Sequence, residues 1–126
     1  MTTTPKVLVI DDDEIILNLV ASFFRNDNYK VATTHQAKIG LQWALQNPPD
    51  VIVLDMMMPE MDGLEVLKVL RNNASTQKIP VLMLTQDDDL TTANRAFESG
   101  ADAYLIKPFD PALLRQKIAH LISNKV

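Results

Sequence analysis

The chain has 126 residues, of which 47% are hydrophobic and 22% charged, with a net charge of −4; that balance suits one globular domain and excludes a disordered chain. No apolar run approaches the roughly 20 residues of a membrane helix, and the opening MTTTPKVLVIDDD has one Lys and a short apolar stretch stopped by acids, unlike a secretory signal. The absence of cysteine rules out disulfides, thiolate metal sites and cysteine nucleophiles, and the negative balance argues against a nucleic-acid surface. The expectation is a single cytoplasmic domain over residues 1–126, with no membrane segment and no direct nucleic-acid partner.

Val7 to Ile10 (VLVI) has the look of a strand buried on both faces. Helical spacing follows in Ile15, Ile16, Leu19, Val20, Phe23 and Phe24. Lys30 to Thr34 (KVATT) alternates polar and apolar residues and suits an edge strand, and Ala37, Gly40, Leu41, Ala44 and Leu45 predict a second helix that carries Trp43. Pro48 and Pro49 break the chain before a buried strand, Val51 to Leu54 (VIVL). Leu64, Leu67 and Leu70 then mark a third helix, and Asn73 to Lys78 a second break. The last two units are Val81 to Leu84 (VLML) with a helix through Leu90, Ala93, Ala96 and Phe97, and Ala103 to Ile106 (AYLI) with a helix from Pro111 through Leu113, Leu114, Ile118, Leu121 and Ile122. Ala103 to Ile106 is expected to be buried on both faces like the other apolar runs. Five alternating strand and helix units predict an α/β fold: a parallel sheet with right-handed crossovers and helices on both faces.

In a parallel sheet, the residues just after each strand gather on one edge, where ligands bind in open α/β folds. Those residues are Asp11 and Asp12, then Asp55, Thr85 and Lys107. Each alone has a bland reading: Asp11 to Asp13 as helix caps, Thr85 as a strand end, Lys107 as a solvated lysine. Four strands delivering polar groups to one place make the bland readings fail together. At an effective dielectric of about 20, two carboxylates roughly 5 Å apart repel by about 3 kcal/mol. Three acids against one lysine leave a local charge of −2, which a divalent cation would cancel. An all-oxygen site suits Mg²⁺, or Mn²⁺, better than Zn²⁺. His35 and His120 fall elsewhere in the pattern and are expected on the surface as non-ligands.

A carboxylate beside such a cation and an ammonium group is equipped to attack phosphorus and form an aspartyl phosphate, with Thr85 offering a third phosphoryl contact. Competing phosphate-handling folds fail on the residues. With Gly40, Gly63 and Gly100 as its three glycines, the chain has neither a P-loop nor a GxGxxG motif. The loop after the first strand is DDDE, where a flavodoxin would place a Ser/Thr-rich phosphate cradle. A haloacid-dehalogenase-type phosphatase would need a second Asp at position 57, which is Met57.

The segments VLVIDDDE, PPDVIVLDMMMPEMDGLEVL, IPVLMLT and SGADAYLIKPF, in that order, closely resemble the receiver domain of two-component response regulators. The resemblance covers nearly the whole chain. It implies a (βα)5 doubly wound five-stranded parallel sheet in the flavodoxin-like order 2-1-3-4-5, like that of chemotaxis regulators. It further implies that Asp55 accepts a phosphoryl group from a phosphohistidine, and that Asp11, Asp12, Asp55 and the backbone carbonyl of Met57 hold Mg²⁺. Thr85 and Lys107 would grip the phosphoryl group, and the Lys107-Pro108 bond would be cis. Thr85 and Tyr104 would form the switch, reshaping the face of the fourth helix, fifth strand and fifth helix that a downstream protein reads.

The implied function is a phosphorylation-activated switch that modifies only itself and is served by a histidine kinase or histidine phosphotransfer protein. A phosphorelay intermediate and a receiver excised from a larger regulator use the same site; a Mg²⁺-dependent phosphohydrolase is disfavoured by Met57. Gln86 is bulkier than the small residue usual after Thr85 in the family and would shield the phosphoryl group. Asp87 to Asp89 read as helix capping, and Met56 to Met58 with Met61 as core or loop packing.

Overall fold

The computed structural model describes residues 4–124; the expected domain span of 1–126 extends outside the described residues at both ends, as does the start of the stretch compared with a secretory signal. The elements alternate throughout: β1 Lys6–Ile10, α1 Glu14–Asn26, β2 Lys30–Thr34, α2 Ala37–Gln46, β3 Val51–Asp55, α3 Gly63–Arg71, β4 Val81–Thr85, α4 Leu90–Glu98, β5 Ala103–Ile106 and α5 Pro111–Ser123. All strand pairs are parallel, in the order β2-β1-β3-β4-β5.

Strand alternation divides the core in two. Leu8, Ile10, Ile52, Leu54, Val81 and Met83 point toward α2, α3 and Ala96 of α4. Val7, Val9, Val51, Val53, Leu82 and Leu84 point toward α1 and α5, where Phe24, Leu114 and Ile118 are completely buried. Residues on both faces of β1, β3 and β4 are therefore apolar, as a sheet covered on both sides requires.

The starts of α1, α3, α4 and α5 are fixed by carboxylates that accept otherwise unsatisfied backbone N–H groups, whereas α2 starts after Gln36 without a side-chain cap. Asp13 accepts from Ile15 N at 2.9 Å, Asp89 from Thr91 N at 2.9 Å and Asp110 from Ala112 N at 2.9 Å. At α3, Asp62 accepts from Glu65 N at 2.9 Å while Glu65 accepts from Asp62 N at 3.4 Å, a reciprocal capping box. Gly63 opens this helix directly against β3: a Cβ there would overlap the Asp55 carbonyl oxygen.

Four expectations are corrected. In α1 the buried face is Leu17, Val20, Ala21 and Phe24, while Ile15 and Leu19 point outward at 76% and 42% exposure. The i, i+3, i+4, i+7 stripe through Leu17 is the one aligned with the sheet; Ile15 lies on the first turn beyond the strand ends. In α4 Ala96 is buried, whereas Leu90 and Phe97 are exposed. β5 is not buried on both faces: it is the second edge of the sheet, with Ala103 and Tyr104 half-buried and Ile106 exposed. Pairing also extends two strands by one residue. Asp55 is in register with Leu84 and Thr85 with Ile106, so both are the last residues of their strands rather than the first residues after them.

Candidate functional site

The ends of β1, β3, β4 and β5 converge as parallel pairing dictates. Asp11, just after β1, and Asp55, ending β3, are 0% and 4% exposed; Thr85, ending β4, is 1% exposed. Oxygens from Asp11, Asp12 and Asp55 all lie within 4.8 Å of one another, with Asp12 exposed at the rim. From the loop after β5, Lys107 brings its Nζ to 2.7 Å from Asp11 Oδ2 and 3.5 Å from Asp55 Oδ1. The Lys107-Pro108 peptide bond that follows is cis.

Backbone contacts lock these side chains. Asp13 N donates to Asp11 Oδ1 at 2.9 Å, and Met57 N to Asp55 Oδ1 at 3.4 Å. Met56 N donates to Leu84 O at 2.8 Å and Lys107 N to Thr85 O at 2.6 Å, so the chain leaves both β3 and β5 tied to the end of β4. Thr85 Oγ1 accepts from Asp87 N at 3.1 Å, and the Tyr104 hydroxyl donates to Asp87 O at 2.9 Å. Thr85, Tyr104 and the β4–α4 loop thus share one short chain of hydrogen bonds. Asp87, two residues past Thr85, is therefore more than a capping residue, and its spacing from Thr85 is the signal the sequence offers.

The electrostatics are those of a site short of positive charge. Burial, then the Asp11 charge, pushes the Asp55 carboxyl up to about 7, with Lys107 pulling the other way. Burial pulls the Lys107 ammonium down, but the hydrogen bond and charge of Asp11, with those of Asp55, outweigh it and hold the lysine above its ordinary value. Asp11 Oδ2 is buried, and its one close partner among the described residues is the Lys107 ammonium at 2.7 Å. Three convergent acids that share a single ammonium are a donor set suited to a hard divalent cation.

Above the acids lies an open hollow of about 510 Å³ lined by Asp12, Asp13, Asp55, Met57, Gln86, Asp87 and Lys107. Met57 is 70% exposed on its rim, whereas Met56 and Met58 are buried and Met61 packs against the core. The packing reading therefore holds for three of the four methionines. His35 is exposed and lines an adjoining hollow with Asp12 and Glu60, while exposed His120 lies on α5. Trp43 lines a groove with Lys6 and Lys30, away from the acids.

The family described as response regulator receiver domain matches residues 7–119. This chain belongs to that family. As a receiver domain it is 39% identical over 118 residues to the DNA-binding dual master transcriptional regulator RpaA of Synechocystis, covering 94% of this chain and 49% of RpaA. It is 38% identical to the alkaline phosphatase synthesis transcriptional regulatory protein PhoP of Bacillus subtilis, covering 93% of this chain and 48% of that protein. The chain spans about half the length of these curated relatives. Among solved receivers, that of the Francisella response regulator 1452 superposes with a TM-score of 0.91 at 33% identity, covering 98% of this chain and 100% of that one. The chemotaxis response regulator CheY4 of Vibrio cholerae gives 0.89 at 31% identity, covering 94% and 99%. Receiver domains are signalling modules of two-component systems, and the doubly wound architecture seen here is theirs. No helix among the described residues is long and apolar enough to cross a membrane.

Proposed function

We propose that this receiver is a phosphorylation switch in which Asp55 accepts a phosphoryl group from the phosphohistidine of a histidine kinase or histidine phosphotransfer protein. The observation that carries the reading is the convergence of Asp11, Asp12 and Asp55 with one lysine, at 2.7 Å and 3.5 Å from two of them. In the transfer, an Asp55 carboxylate oxygen forms a bond to phosphorus as the phosphorus–nitrogen bond to the donor imidazole breaks, and the imidazole leaves with the electron pair. Lys107 offsets charge on the phosphoryl oxygens, and Thr85 exchanges its contact with Asp87 N for one with phosphoryl oxygen.

Asp11, Asp12 and Asp55, with the backbone carbonyl of Met57, would hold Mg²⁺ or Mn²⁺, which when bound would neutralise the acids and favour the ionised, nucleophilic form of Asp55. Movement of Thr85 would disturb the link through Asp87 to Tyr104 and so reach α4, β5 and α5. A downstream protein would read that face, where Leu90, Phe97, Ile106 and Leu113 are exposed. The domain would act in the cytoplasm, turn over no separate substrate and catalyse only its own phosphorylation and dephosphorylation. A phosphorelay intermediate, or the receiver portion of a longer regulator, would use the same chemistry. Incubation with a radiolabelled phosphohistidine donor tests the central claim: Asp55→Asn abolishes labelling, and persistent labelling of a folded Asp55→Asn protein refutes it.

A further inference from the structure

At the end of the sheet opposite Asp55, β1 and β2 begin side by side, with Lys6 in register with Lys30. Alternation puts Lys6 on the same side of β1 as Leu8 and Ile10, which pack toward α2, and Lys30 and Ala32 take the matching positions on β2. Both lysines are exposed, and neither ammonium forms an ion pair among the described residues; the nearest acid is Asp50, whose carboxylate accepts from Lys6 N at 2.7 Å on the β3 side of β1. Neighbouring strands lie about 4.8 Å apart. Two like charges in register across that spacing repel.

The α2 helix covers the sheet through Ala37, Gly40 and Ala44, and below Ala44 it leaves a groove of about 390 Å³. Buried Leu8 and exposed Ala32 lie on its strand side, and Trp43, 40% exposed, and Asn47 on its helix side. The Trp43 indole and the Asn47 side-chain amide make no hydrogen bond to any described residue. The negative end of α2 faces this region with about half a charge and the Asp50 carboxylate adds one more beside Lys6, so the two ammonium charges still leave the rim positive. An apolar groove with free donors and two in-register lysines at its rim, with the Asp50 carboxylate only on the far side of Lys6 from Lys30, is complementary to a molecule with an apolar body and a single anionic head. Its volume lies at the small end of ligand sites, which favours a small molecule over a helix of a partner protein.

We propose that this groove binds a small amphipathic carboxylate, with its apolar body against Leu8, Ala32 and Trp43 and its carboxylate between Lys6 and Lys30. None of these residues belongs to the phosphoryl site, from which five-residue strands separate them by roughly 15 Å. A receiver with such a groove has a second input, independent of its phosphoryl donor.

The protein has a single tryptophan, and it lines the groove, so its emission reads occupancy directly. Sodium decanoate below its micelle concentration should change Trp43 emission saturably, with decyltrimethylammonium giving no saturable change. Lys6→Gln/Lys30→Gln should bind decanoate about ten-fold more weakly, whereas Lys68→Gln on α3 leaves affinity unchanged. Amide shifts in two-dimensional NMR should cluster at Leu8, Ala32 and Asn47, and the same spectra verify that each variant is folded. Absence of saturation, equal affinity in the double variant, an equal response to the cationic amphiphile, or shifts confined to other surfaces would each overturn the proposal. The measurement uses no phosphoryl donor, so its failure leaves the assignment of Asp55 untouched.

Discussion

The Lys107 ammonium lies 2.7 Å from Asp11 Oδ2, closer than the 3.5 Å that separates it from Asp55 Oδ1. Its anchor is therefore Asp11, just after β1, and Asp55 is left partly uncompensated. Lysine and aspartate are both nearly inaccessible, with side chains 9% and 0% exposed. Removing one partner of a buried pair strands the other charge at a cost of roughly 3–5 kcal/mol. Lys107→Met is expected to lower the stability of the metal-free domain by about 3 kcal/mol in urea denaturation, with saturating Mg²⁺ recovering part of the loss.

The elevated Asp55 carboxyl makes stability depend on pH with a defined sign. Its value rises from 3.8 to about 7 on folding, so the folded state holds the proton more tightly. The contribution is complete below 3.8 and is lost as pH rises through about 7. Asp55→Asn removes that dependence. The stability advantage of Asp55→Asn over the parent, measured in chelator, should grow across this window and then level off, reaching on the order of 4 kcal/mol. A difference that shrinks with rising pH would contradict the electrostatics described.

Asp12 is the exposed member of the acidic trio, and its side chain meets the Asp55 carboxyl rather than the hydrophobic core. Asp12→Ala should therefore weaken Mg²⁺ binding about ten-fold in calorimetry while changing unfolding stability by less than about 1 kcal/mol. Unchanged Mg²⁺ affinity would remove Asp12 from the ligand set.

Arg71, at the end of α3, ties three segments together. Its guanidinium donates to Gly100 O at 2.8 and 3.0 Å, to Ile79 O at 2.8 Å, to Gln77 O at 3.2 Å and to Asp102 at 2.9 Å. Asp102 in turn accepts from Val81 N at 2.9 Å, which links the arginine to the start of β4. Arg71→Ala should cost roughly 2–3 kcal/mol by leaving carbonyls unpaired in a half-buried place. Lysine cannot reproduce the fork, so Arg71→Lys should recover less than half of that loss in urea titrations.

Sequence alone determined the elements and the candidate site, because both follow from short-range rules. Apolar runs of four residues spaced by amphipathic helices dictate parallel βα units, and parallel strands must end together, so Asp11, Asp12, Asp55, Thr85 and Lys107 had to meet. Tertiary structure decided everything that depends on a neighbour distant in the chain. Which stripe of α1 is buried, Leu17 rather than Ile15, depends on where the helix crosses the sheet. Ile106 is exposed because β5 has no outer neighbour, and the Arg71 partners lie up to 31 residues away. Likewise Lys6 and Lys30 became a pair only when β1 and β2 aligned, and the groove they flank exists because α2 ends before covering it. Periodicity specifies what one segment can bury; only packing specifies what remains uncovered, and that remainder is where ligands and partners bind.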